Sequence, residues 1–83
     1  MKINLEEIKK SIEPSLSKIG IIVTDITYHN EAKYNFLTIE LDKDNGIDLD
    51  TIVKATDIIN PIIDKLDIID DSYILDVVSK ERG

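Results

Sequence analysis

The sequence predicts an α+β domain in the order α-β-β-α-β, a two-layer sandwich with two helices on one face of a three-stranded sheet. Three observations predict it. Apolar residues recur every three or four positions in two long stretches. Between these lie two extended stretches joined by a short polar turn, and a third extended stretch closes the chain. A hairpin and two helices, each with one apolar side, bury those sides most simply by stacking both helices on one face of the sheet.

The first helix is carried by Leu5, Ile8, Ile12, Leu16 and Ile19, one stripe at helical spacing. Asn4 is a natural N-cap, Glu7 stands where a capping-box partner belongs, and Ile3 and Ile8 suit a hydrophobic staple. Gly20 suits a left-handed stop. Pro14 removes a backbone donor and crowds the carbonyl of Lys10, which predicts a kink or break near Glu13.

From Ile21 to His29 the pattern turns to β, but Ile21 and Val23 have one parity while Ile26 and Tyr28 have the other. A bulge near Thr24–Asp25 reconciles them, unless both faces of the strand are partly covered. Asn30 to Lys33 reads as a turn. Tyr34 to Asp42 is a regular strand, with Leu37, Ile39 and Leu41 inward. Its outward parity, Phe36, Thr38 and Glu40, is left for solvent or a partner.

Asp44-Asn45-Gly46 makes a turn and Asp48 caps the second helix, with Ile47 and Ile52 as its staple. Leu49, Ile52, Val53, Thr56, Ile59, Ile63 and Leu66 continue that helix's stripe. Asn60-Pro61 admits either a new short helix or one kinked helix. Tyr73 to Val78 is the last strand.

Composition narrows function. Eighty-three residues with 42% hydrophobic and 33% charged side chains make one small domain. A chain of this length buries about 60–65% of its unfolded surface. There is no Cys, which excludes disulfides and thiolate zinc sites. No apolar run reaches the roughly 18 residues of a membrane span, and a soluble cytoplasmic protein is expected. The net charge of −7 repels phosphate backbones and either suits basic partners or only maintains solubility.

The sequence offers little chemistry. His29 is the only histidine, no Gly-rich phosphate loop is present, and no nucleophile motif stands out. The Asp70-Asp71 pair sits in a connector and reads as solvated. The loop Asp42 to Asp50 alternates carboxylates around Gly46, yet a calcium loop with that Gly at position six would need a ligand at Leu41 and a Glu at Ile52. No metal, cofactor or catalytic residue is expected. Asp42, Asp44, Asp48 and Asp50 are instead candidates for binding a basic partner, and Lys80 with Arg82 forms the only local positive spot.

Ile12-Glu13-Pro14 through Gly20, followed by Val23-Thr24-Asp25-Ile26-Thr27-Tyr28, is similar to the opening of the RimP ribosome maturation factors. Gly46-Ile47-Asp48-Leu49-Asp50 resembles that family's turn into its second helix. Ile69, Tyr73, Leu75, Asp76, Val77 and Ser79 resemble its closing strand, with Asp76 in place of Glu. The resemblance covers nearly all of this chain and about the first half of a typical member. It departs at Val78-Ser79-Lys80-Glu81, where the family reads Ser-Ser-Pro-Gly.

The resemblance implies an amino-terminal domain of KH-like shape over residues 1–79, with 80–83 beginning a linker to an Sm-like or SH3-like β-barrel. A piece of a longer protein is expected rather than a short, divergent one. It further implies a non-enzymatic factor for maturation of the small (30S) ribosomal subunit. The implied partners are the small-subunit precursor and a basic ribosomal protein near the decoding centre, with ribosomal RNA contacted through the second domain. A stand-alone KH-like RNA-binding module is the alternative, although the Gly-x-x-Gly clamp is missing and the charge is adverse. A metal-dependent enzyme on the acidic loop is the third class.

Overall fold

A computed structural model describes residues 3–69 and 71–80. Its elements are α1 (Leu5–Ser17), β1 (Ile21–Glu31), β2 (Tyr34–Lys43), α2 (Leu49–Leu66) and β3 (Ile74–Ser79). The class and element order are those the sequence predicts.

Helix α1 starts where its cap requires: the Asn4 side chain accepts the Glu7 backbone N–H at 3.2 Å. It then runs unbroken through Pro14, so of the expected kink or break near Glu13 the break does not occur. Pro14 and Lys10 are both exposed, and water can bond the Lys10 carbonyl that the missing N–H leaves free. The helix ends at Ser17, before Gly20, whose φ of +78° makes the turn into β1. Helix α2 is likewise one helix through Pro61, capped by Asp48 and closed by Asp67 in the left-handed region.

The sheet order is β1-β2-β3, with β2 central. β1 and β2 are antiparallel, from Ile21 opposite Lys43 to Glu31 opposite Tyr34. The hairpin turn is shorter than expected, because β1 continues to Glu31 and Ala32 takes a φ of +58°. The register shifts between Val23 and Asp25, which is the expected bulge. Thr24 is the extra residue, and its hydroxyl donates to the Glu40 carboxylate at 2.6 Å. The shift puts Val23 opposite Leu41 and Ile26 opposite Ile39, so both parities of β1 reach the same face.

β3 lies parallel to β2, from Ile74 opposite Phe36 to Ser79 opposite Leu41. It begins one residue later than expected and extends one further. Asn35 steadies its entrance by donating to the Ser72 carbonyl at 3.1 Å.

The core is the space between the helices and one sheet face. Ile8, Ile12 and Leu16 of α1, Ala55, Ile59 and Ile63 of α2, and Leu37, Ile39 and Leu41 of β2 are buried there with Ile21 and Val23. Leu49 and Val53 belonged to the predicted buried stripe but are 77% and 54% exposed. The stripe that meets the sheet passes instead through Ala55, Ile59 and Ile63. No helix among the described residues is long and apolar enough to cross a membrane.

Candidate partner-binding surface

The acidic candidates gather at one end of the sheet. There β2 and β3 finish together, β1 begins, and α2 starts. Asp42 is half-buried near the end of β2, and one carboxylate oxygen accepts the Lys43 backbone N–H at 2.8 Å. The chain then reverses through Asn45 and Gly46, both at positive φ, with the Gly46 N–H bonded to the Lys43 carbonyl at 2.9 Å. An open groove of about 420 Å³ follows this turn, lined by Lys43 to Asp48 and Thr51. Asp44 and Asp50 are exposed.

Asp48 has a different job. Its carboxylate accepts the Thr51 backbone N–H at 2.8 Å, satisfying a donor that the start of α2 would otherwise leave open. Bonding to Thr51, through its side chain and then its backbone N–H, holds this carboxyl below its ordinary value of 3.8, with Lys43 adding to the effect. A group lowered on folding stabilises the fold above its unfolded pKa, and that contribution is lost as pH falls through the lowered value. Asp48→Ala is expected to lower Tm at neutral pH. Asp48→Asn keeps a good cap, so it is expected to hold the neutral Tm while flattening the loss of Tm in acid. Thermal melts followed by circular dichroism across the acid range check both.

The predicted basic residues divide. Lys80 reaches this same end, because its backbone N–H donates to the Leu41 carbonyl at 2.7 Å. Arg82 lies outside the described residues, as does Asp70, while Asp71 is exposed.

Two further surfaces were missed or only half seen. Among the described residues no helix covers the outer face of the sheet. His29, Phe36 and Ile74 form one row across it, with the His29 and Phe36 rings stacked at 5.5 Å between centroids. The other surface is a groove of about 440 Å³ between α2 and β3, lined by Thr56, Asn60, Asp64, Tyr73 and Leu75. Burial, and then the nearby Asp64 charge, raises the Tyr73 hydroxyl above its ordinary value. Polar residues at four-residue steps, Thr56, Asn60 and Asp64, were the available signal.

Among the described residues no buried polar or charged side chain occurs, and no three His, Cys, Asp or Glu side chains are placed to hold a metal ion. Asp44 and Asp50 face water, open to a partner. The arrangement suits recognition. Residues 11–80 match the model of the RimP N-terminal domain. The chain therefore belongs to the RimP family, a family of non-enzymatic ribosome maturation factors, as its N-terminal domain.

Proposed function

We propose that this domain assists maturation of the small (30S) ribosomal subunit in the cytoplasm, by docking a basic ribosomal protein near the decoding centre of the pre-subunit. The observation that carries the choice of surface is the acidic end of the sheet, where Asp42, Asp44 and Asp50 flank one turn. A net charge of −7 favours that partner over bare RNA. Exposed carboxylates on a rim act chiefly through long-range attraction, so they raise the rate of encounter and make it salt-dependent.

Asp48 is left out of the test, because reversing it would remove the cap of α2. Asp44→Lys with Asp50→Lys changes the local charge by four units at exposed positions. The double variant is expected to keep the wild-type melting profile and to bind pre-30S particles several-fold more weakly, with a flatter dependence on salt. Sedimentation with particles across a salt series measures this. Unchanged binding removes the acidic end from the proposal. Tighter binding would favour the KH-like RNA reading, since reversal relieves repulsion from phosphates.

A further inference from the structure

β3 is an edge strand. β2 pairs with one side of it, and among the described residues no strand pairs with the other. The direction of its free groups follows from one bond. The Lys80 N–H reaches the Leu41 carbonyl, so even-numbered residues of this strand turn their backbone groups toward β2. Backbone direction alternates along a strand, and the N–H and C=O groups of Leu75, Val77 and Ser79 therefore point away from the sheet.

Soluble proteins usually blunt such an edge with Pro, Lys, a bulge or a covering element. β1 has its bulge at Thr24. β3 reads Ile-Leu-Asp-Val-Val-Ser, rich in strand-forming residues and without a bulge. Beside its open edge lies the groove walled by Thr56, Asn60 and Asp64 of α2.

Carboxylates flank the middle of this edge, and Lys80 lies beyond its far end. Asp64 stands in the groove on the helix side. Asp76 is on the opposite, outer face of β3, opposite Thr38, with its carboxylate 3.5 Å from the Thr38 hydroxyl. At about 100° per residue, Asp57 shares the Asp64 side of α2, while Lys54 and Lys65 fall about 80–100° further round, away from the groove. A strand added to β3 would thus meet a carboxylate on each of its faces. A second copy of this acidic chain would meet repulsion there.

We propose that the free edge of β3 accepts an extended peptide segment bearing lysine or arginine as a fourth strand. Its backbone pairs with Leu75, Val77 and Ser79, and its basic side chains lie against Asp64 on one face and Asp76 on the other. Main-chain pairing supplies affinity in this mode of recognition, and the flanking side chains supply selectivity. The inference stands on the edge of the sheet and does not depend on the acidic end around Asp44.

The test is a titration of the isotope-labelled protein with a short synthetic peptide of repeating Lys-Lys-Val-Val, followed by amide shifts and hydrogen exchange. Shifts and slowed exchange at the amides of Leu75, Val77 and Ser79 are expected. The same peptide N-methylated at alternate residues keeps its charge but cannot pair, and is expected not to bind. Asp64→Lys and Asp76→Lys should each weaken binding about three- to tenfold. Ser79→Pro removes one outward N–H at a position where an edge strand tolerates proline, and should weaken binding without changing the melting profile. Asp44→Lys with Asp50→Lys, which lie off the paired edge, should leave the amide shifts at Leu75, Val77 and Ser79 in place at saturating peptide, even where long-range repulsion weakens the affinity. Equal binding of the N-methylated peptide, shifts confined to the Asp42–Asp50 turn or to the Phe36 row, or no binding would each overturn the proposal. Slowed exchange at these three amides without peptide, rising with protein concentration, would make a second copy the occupant and overturn it as well.

Discussion

Ile39→Ala is expected to lower stability by about 3 kcal/mol, within the range of about 2–5 kcal/mol seen when a buried isoleucine is cut to alanine. Ile39 is fully buried in the central strand, opposite Ile26 on one side and Val77 on the other. The space it leaves is walled by two strands and two helices, which cannot all move in to fill it. A domain of this size has roughly 4–12 kcal/mol in total, so the loss is a large share. At about 4–8 °C per kcal/mol, Tm should fall by more than 10 °C. Val53→Ala tests the same chemistry on an exposed residue of α2 and should change stability by less than about 0.5 kcal/mol. Similar losses at both sites would mean that the core does not lie between the helices and β2.

Two deletions should differ more sharply still. Removing Thr38 shifts every later residue of β2 by one, which turns Ile39 and Leu41 outward and Glu40 inward. The β2–β3 register on Val77 and Ser79 is lost with them. This variant is expected not to fold. Removing Thr24 does the opposite, because Thr24 is already the unpaired residue of the bulge. Val23, Asp25 and Ile26 then alternate as a regular strand, with Val23 and Ile26 still facing the core. The loss is the pair of bonds from the Thr24 hydroxyl to Glu40, about 1–2 kcal/mol. Soluble expression and the amide spectrum of the two deletions decide the matter. A folded Thr38 deletion would contradict the pairing of β2 with its two neighbours.

Much of the acidic surface was legible because turns and caps are local. Asp44, Asn45 and Gly46 reverse the chain through their own backbone preferences, and Asp48 finds Thr51 three residues on. What the residues did not reveal was which of these carboxylates is already used. Asp48 reads in the sequence as both a cap and a binding candidate, and only its bond to Thr51 separates it from Asp44 and Asp50. Pro14 left a break open for a related reason. Its cost depends on whether water can reach the Lys10 carbonyl, and that follows from which side of α1 faces the core.

By itself the sequence determined the five elements, their order, the bulge at Thr24, both N-caps and the inward face of β2. Each of these is a short-range pattern of period two or near 3.6, or a contact within four residues. Only the tertiary structure decided where β3 goes. After α2 crosses back, β3 had two edges open to it, beside β1 or beside β2, and its own alternation fits either one. It took the edge beside β2, where Leu75 and Val77 meet Leu37 and Ile39 above the buried side of α2. That choice joins residues 37 and 38 positions apart in the chain, Asn35 with Ser72 and Thr38 with Asp76, and no local pattern records it. It also left the far side of β3 without a strand, next to Asp64, because burial of the shared core and not the spacing of residues settled which edge would stay open.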